Sequence, residues 1–305
     1  MKKQSIIIIG STNIDMVIKA PRIPVPGETI LGGTFFMNSG GKGANQAVTV
    51  ARLGGNAVFV SKIGNDIFGK QSLELFQKEG IYTAYMLSDN HHSSGVALIT
   101  VDEKGENSIV VASGANAHLK PEDIADVIFE DLNIGIMLLQ LEIPLDTVQH
   151  AVQKASEKNI IVILNPAPAR TLSSTILKYV DIITPNATEA THLSGIEVKD
   201  MTTAREAALI IQKKGVKNIV ITMGEQGALI LDSNHLFTEM PVAKVKAVDT
   251  TAAGDVFNGA LAVALSEQKD LPTAVAFACQ AAAISVTRWG AQSSIPYRNE
   301  LYPEV

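Results

Sequence analysis

Two aspartates near the C-terminus, Asp249 and Asp255, bracket the run Thr250-Thr251-Ala252-Ala253-Gly254, and an apolar stretch with helical character, Val256 to Leu265, follows directly. Small residues ahead of a helix let a ligand approach the backbone. The first N–H groups of a helix have no internal partners and attract anions. A carboxylate at that place is badly suited to holding a phosphate but well suited to taking the proton of a hydroxyl that attacks one. The segment therefore reads as an anion hole, Ala252, Ala253, Gly254 and Asp255, with Asp255 as a built-in general base. A glycosidase acid pair made of Asp249 and Asp255 is the competing reading. It turns on a distance that sequence does not give, and it leaves the anion-binding run without a role.

Other polar residues fall at the ends of predicted strands. Asn13 and Asp15, two apart in an extended segment, face the same side. They read either as turn residues or as an amide and a carboxylate for vicinal hydroxyls. Glu142 follows the strand ending at Leu141. Gly40-Gly41-Lys42-Gly43-Ala44-Asn45-Gln46 opens a helix. It is no phosphate loop, because Gly43 stands where Ser or Thr is needed, and no dinucleotide fingerprint, because Gln46 stands where the third Gly belongs. It reads as a plain glycine-rich helix entry or as a place where a polyol meets the main chain, Lys42 and Asn45. Asn186, with Glu189 three residues on, is a capping box or part of a nucleotide site.

The elements that must hold these residues alternate. Ile6–Ile9 and Ala57–Ser61 read as buried strands, with helix Ala44–Leu53 between them. Ile136–Leu141, Ile160–Leu164, Val180–Thr184 and Asn218–Thr222 continue the strands. Helices Leu145–Lys158, Ala187–Leu193 and Thr203–Lys214 lie among them. Ala228–Leu231 reads as a hairpin partner of the strand before it, and helices Gly254–Ser266 and Thr273–Thr287 close the chain. This rhythm predicts an α/β fold with a mostly parallel sheet covered on both faces. Ligands of such folds gather at the carboxyl ends of the strands, where the polar residues fall. Two segments break the rhythm, about 13–38 and 95–112, and suggest a small β-sheet flap on a single 305-residue domain.

Composition narrows the function. Of 305 residues, 46% are hydrophobic, enough for a large core, and the formal net charge of −6 with no long basic run argues against nucleic acid or a membrane surface as partner. The single cysteine, Cys279, excludes an intrachain disulfide and a cysteine-based zinc site. The apolar run after Met1-Lys2-Lys3-Gln4 is too short for a signal or a membrane span, so a cytoplasmic protein is expected.

Gly40-Gly41-Lys42-Gly43-Ala44-Asn45-Gln46-Ala47 together with Asp249-Thr250-Thr251-Ala252-Ala253-Gly254-Asp255-Val256-Phe257-Asn258-Gly259 resembles the two signatures of the ribokinase family of carbohydrate kinases, the PfkB type. Asn165-Pro166-Ala167-Pro168-Ala169-Arg170, Thr184-Pro185-Asn186 and Gly290-Ala291-Gln292 extend the resemblance over essentially the whole chain. It implies a ribokinase-like, Rossmann-type sandwich with a small β-sheet lid, and ATP-dependent phosphorylation of D-ribose to ribose 5-phosphate. Another pentose such as deoxyribose, a nucleoside or fructose is the neighbouring choice. By the same resemblance Asn13, Ile14, Asp15, Gly41, Lys42, Gly43, Ala44, Asn45 and Glu142 bind the sugar beside the catalytic base Asp255. Asn186, the stretch Thr222, Met223, Gly224, Glu225, Gln226 and Gly227, and Ala253 and Gly254 bind ATP with Mg²⁺. Cys279 stands where the family pattern has histidine or asparagine, which leaves it a backbone or packing contact beside the nucleotide. A K⁺ ion would sit on Asp249, Thr251, Ser285, Arg288, Gly290 and Ser294, several through backbone carbonyls. Trp289 replaces a more usual small or basic residue. A homodimer through the lid is implied. A sugar- or nucleotide-binding regulator without catalysis is the alternative of another class; the presence of Asp255, Gly254 and Lys42 speaks against it.

Overall fold

The computed structural model describes residues 4–301. Met1–Lys3, part of the argument about a leader, lie outside the described residues. The chain opens with β1 (Ser5–Ile9), β2 (Asn13–Lys19) and β3 (Thr34–Gly40). Helix α1 (Lys42–Arg52) precedes β4 (Asn56–Val60), β5 (Lys62–Gly64), α2 (Ile67–Lys78) and β6 (Leu87–Asp89). The hairpin of β7 (Gly95–Val101) and β8 (Asn107–Ala112) leads to a short α3 (Val127–Asp131) and to β9 (Ile134–Leu139). Next come α4 (Leu145–Glu157), β10 (Ile161–Leu164), α5 (Ser174–Leu177), β11 (Ile182–Ile183), α6 (Ala187–Ser194) and α7 (Met201–Lys213). Strands β12 (Asn218–Thr222), β13 (Ala228–Leu231) and β14 (Phe237–Met240) precede the closing pair α8 (Ala253–Ser266) and α9 (Leu271–Ser285).

Eight strands form one sheet in the order β14-β13-β12-β11-β10-β9-β1-β4, parallel from β12 to β4 and antiparallel across β12-β13-β14. Successive strand residues point to opposite faces, and β1 shows the result. Ile7 and Ile9 join the core under α4 to α7, Ile6 and Ile8 the core under α1, α8 and α9, and all four are fully buried. A four-stranded sheet, β3-β2-β7-β8, stands apart from the main one. Its inner face carries Asp15, Val17, Lys19, Phe36 and Asn38 against a large cavity, while Ile18, Phe35, Met37, Leu98 and Val110 are exposed on the other face.

The structure departs from the sequence expectations at several elements. Helix α2 was not anticipated; Asp66 caps it by accepting the Gly69 N–H at 2.8 Å. The stretch Val180–Thr184 contributes only two ladder residues, and at the strand entry the Asp181 side chain accepts the Val162 N–H and the Lys217 ammonium. Strand β3 runs past Asn38 to Gly40, whose register partner is Asn13. The paired short strands β5 and β6 and the added edge strand β14 were also unforeseen.

One close approach matters most for the site. A Cβ built on Gly259 of α8 would lie 2.6 Å from Thr49 Cβ of α1. The two helices thus pack at a separation that only glycine permits, and this brings Asn45 and Gln46 of α1 up to Asp255 of α8.

Candidate active site

Two cavities share Thr250 as a wall. The larger, ≈ 960 Å³, lies under the inner face of the four-stranded sheet and is bounded opposite by 247–251 and 289–291. The smaller, ≈ 180 Å³, is lined by Lys42, Asn165, Asn186, Glu189, Thr222 and the start of α8, Ala252 to Asp255.

Asp255 is 4% exposed at the head of α8. Asn45 Nδ2 donates to its Oδ2 at 2.9 Å and Gln46 Nε2 to its Oδ1 at 3.1 Å. Burial pushes its carboxyl above the ordinary range, against the Lys42 ammonium and the two amide donors, which favour the charged form. Such a carboxylate is a stronger proton acceptor than one in water. The Asp255 charge, ahead of Glu142, Glu189 and Asp15, in turn keeps Lys42 a firmly protonated ammonium despite its burial.

The segment expected to form an anion hole, Ala252 to Asp255, makes the head of α8. Ala252 sits in the left-handed region at φ 61°, a conformation that costs a non-glycine residue about 1–3 kcal/mol, which a small side chain keeps towards the low end. The first intrahelical bond is Val256 N–H to Ala252 O, and Ala253 N–H is already spent on Thr250 O at 3.2 Å. That removes Ala253 from the four expected donors and leaves Ala252, Gly254 and Asp255.

Of the sugar-site expectations, Asp15 faces the large cavity from β2. Burial first, then the charges of Glu142 and Asp255, raise its pKa to about 6, with Lys42 opposing. Asn13 is buried, and its Oδ1 accepts from Asn116 Nδ2 at 2.8 Å, which leaves the Asn13 NH₂ as the donor end. Ile14 is buried on the opposite face of the strand. Glu142 accepts from Ser11 Oγ at 2.5 Å and from the Lys42 N–H at 3.1 Å, so it sits at the positive end of α1. Gly41 turns the chain there with φ 88°. Gly43 and Ala44 pack against Gly10 and Ser11 and line neither cavity. Asn45 Oδ1 is buried without a partner among the described residues. The Lys42 side chain belongs to the smaller cavity, nearer Asn186 and Glu189 than expected of a purely sugar-binding group.

On the nucleotide side, Asn186 and Glu189 do form the capping box: Glu189 N–H to Asn186 Oδ1 at 2.8 Å and Asn186 N–H to Glu189 Oε2 at 2.9 Å. Burial raises the Glu189 carboxyl, opposed by the Asn186 N–H and Lys42. Thr222 lines the same cavity, whereas Met223 to Gly227 form a tight turn beyond it, closed by Met223 N–H to Gly227 O at 2.8 Å. Cys279 is buried among the apolar residues of α8 and α9, its thiol pushed up to about 11 by burial, and it lines neither cavity.

The cation-site expectations gather around Asp249. Its two oxygens accept the N–H groups of Thr251 and Gly290, both at 2.9 Å. Burial works to raise this carboxyl, but Thr251, the Gly290 N–H and the Lys19 charge hold it below the ordinary range. Ser285 Oγ and Ser294 Oγ donate to the carbonyls of Ala282 and Ala291, and Arg288 pairs with Glu300. Side chains are thus mostly committed, and an ion here would draw on carbonyls. The Lys19 ammonium lies 4.1 Å from the centre of the Trp289 ring, bridging the small sheet to the 289–291 loop.

Sequence reasoning passed over Ser11, Asn116 and Gln140, and singled out Gln46 only as part of a motif. Each is polar and at most 2% exposed. A buried polar residue is a signal only once burial is known, and the side chains they bond to lie 94 to 209 residues away.

Residues 3–298 match the family described as pfkB family carbohydrate kinase. The chain belongs to that family. A ribokinase from Haemophilus influenzae is 44% identical to this PfkB-family chain over 301 residues, 98% of this chain and 97% of that protein. A deoxyribokinase from Salmonella typhi is 40% identical over 293 residues, 95% of each chain. The structure of Arabidopsis thaliana ribokinase complexed with ribose and ATP superposes on this PfkB-family fold with a TM-score of 0.92 at 32% identity, covering 98% of this chain and 97% of that one.

Proposed function

We propose that this carbohydrate kinase transfers the γ-phosphoryl group of ATP to the 5-hydroxyl of D-ribose, giving ribose 5-phosphate and ADP. The observation that carries the reading is the placement of Asp255: a buried carboxylate at the head of α8, held by two amides of α1, lining the cavity that presents Asn186 and Glu189 and near enough for its charge to act on Asp15 of the adjoining cavity. Likeness to the ribokinases supports the sugar. Asp255 takes the proton of the attacking hydroxyl. The amides of Gly254 and Asp255, with the Lys42 ammonium, steady charge on the phosphoryl group in passage, so catalysis is mainly positioning and electrostatics. Asn13, Asp15, Asn45 and Glu142 hold the sugar, and the small sheet closes over it as a lid that limits ATP hydrolysis.

The residues present fit both metal ions. The smaller cavity offers hard oxygen donors, Glu189 and Thr222 among them, which suits Mg²⁺ held largely by nucleotide phosphates and water. Mg²⁺ there supplies charge neutralisation on the phosphates. Around Asp249 the donors are oxygens throughout, as a K⁺ ion requires, and the 248–251 and 286–290 loops that carry them are already tied by Val248 N–H to Val286 O at 2.7 Å. An ion held there by Asp249 and the carbonyls of these loops would supply positive charge beside the segment that leads into α8.

A coupled ADP-release assay over a sugar panel tests the assignment. Ribose is expected to exceed 2-deoxyribose in kcat/KM, and K⁺ to exceed Na⁺ or a bulky organic cation in rate. Equal use of both pentoses would move the assignment to a deoxyribose or broader pentose kinase, and equal rates in the three salts would remove the cation. A cytoplasmic location fits the use of ATP and the single, buried cysteine. The exposed apolar side chains Ile18, Phe35, Met37, Leu98 and Val110 on the outer face of the lid support a homodimer through that face. Sedimentation should show a dimer for the wild type and a monomer for Phe35→Glu; a monomeric wild type would dismiss the dimer.

A further inference from the structure

Gln46 is fully buried, and its carboxamide is used at both ends. The Nε2 group donates to Asp255 Oδ1 at 3.1 Å and to Asn165 Oδ1 at 3.2 Å, while Oε1 accepts from Gln140 Nε2 at 2.5 Å. A primary amide has donors on one side and an acceptor on the other. Only one polarity satisfies this arrangement, since the reverse would set the Gln46 oxygen against the Asp255 carboxylate. Asn165 cannot relax the constraint, because its own Nδ2 points to Thr184 O at 3.5 Å. The polarity therefore propagates outward: Gln46 must accept from Gln140, and Gln140 must present its NH₂.

Gln140 does so at a visible cost. It is 1% exposed at the end of β9, and its Oε1 is buried with no partner among the described residues. A fold selected only for packing would fill this place with an apolar side chain. Gly10 leaves the room, since a Cβ there would fall on the Gln140 amide.

We propose that Gln46 is a positioning residue for the base Asp255, and that Gln140 fixes the polarity of its amide. The inference rests on the kinase reading, which wild-type turnover of ribose tests on its own. The other charged groups facing Asp255 are Lys42 from α1, Glu142 beyond β9, Glu189 from α6 and Asp15 from β2, and none of them is altered by the variants below.

Gln46→Met removes both donors at similar volume, and Gln140→Met leaves the Gln46 amide in place but unpins it. A donor to the charged form of a carboxyl lowers its pKa, so losing it moves the acid limb of the kcat–pH profile upward. The expected result is an upward shift of about one pH unit for Gln46→Met, with a plateau kcat about tenfold or more lower and a ribose KM little changed. Gln140→Met is expected to move the same limb in the same direction by less. A lower kcat with the limb in place would overturn the proposal, as would two variants indistinguishable from wild type. Should Gln46→Met fail to fold, Gln140→Met decides the matter alone, and a limb at the wild-type position refutes it.

Discussion

Asp255→Asn is expected to lower kcat by on the order of 10²–10⁴-fold while the affinity for ribose stays within a few-fold. The side chain keeps its size, so the packing of α8 against α1 is retained, but an amide cannot take the hydroxyl proton. The figure is bounded from both sides. Phosphoryl transfer asks little covalent help of the protein, so positioning and the amides at the head of α8 survive the substitution and leave residual turnover. The loss cannot be small either, because Asp255 is buried with its proton affinity raised and both its oxygens held, and no bulk water substitutes for it. Steady-state kinetics with an independent measure of sugar binding checks this. A variant turning over at near the wild-type rate removes Asp255 from the mechanism.

Asp15→Ala should cost ribose about 1.5–3 kcal/mol in kcat/KM, roughly 10- to 150-fold, because the lost partner is an ionised acceptor rather than a neutral one. The 2-deoxy sugar, which has one hydroxyl fewer to lose, should suffer much less. The same residue sets a pH dependence. With its pKa at about 6, Asp15 is protonated below that pH, and wild-type kcat/KM for ribose should fall as pH drops through 6, a limb the Ala variant lacks. In folding the sign is opposite. A carboxyl raised from 3.8 to about 6 in the fold contributes most to stability below pH 3.8, and that contribution is lost as pH rises through about 6. On the proposed role of Asp15, the ligand-free protein tolerates near neutrality a destabilising charge that the sugar hydroxyls would then satisfy. Equal losses for both sugars in Asp15→Ala would place Asp15 away from the hydroxyls that distinguish them.

The legible part of the molecule was the part written in short range. The head of α1 from Gly40 to Asn45 and the segment from Asp249 into α8 declared themselves because turns, caps and small residues act within a few positions. The parallel sheet was legible because β1 and β9 to β12 are buried on both faces and so read as unbroken apolar runs. What stayed hidden was pairing at long range. Periodicity says which face of α1 is buried, but not that Gln46 on that face meets a carboxylate 209 residues away. Asn116 lies in a short turn with no periodic pattern, yet it fixes the amide of Asn13. Helix α2 was missed for a milder reason: few of its residues are buried, so its apolar stripe is thin.

Trp289 is the only tryptophan in the chain. It sits 64% exposed at the rim of the large cavity, with the ammonium of Lys19, from the β2 strand of the small sheet, 4.1 Å above its ring. Any displacement of β2 from the 289–291 loop changes both the charge and the water over that indole. The protein therefore carries its own optical label at the mouth of the cleft, and its intrinsic emission can report, on one site and without chemical modification, whether the proposed closure of the cleft accompanies substrate binding.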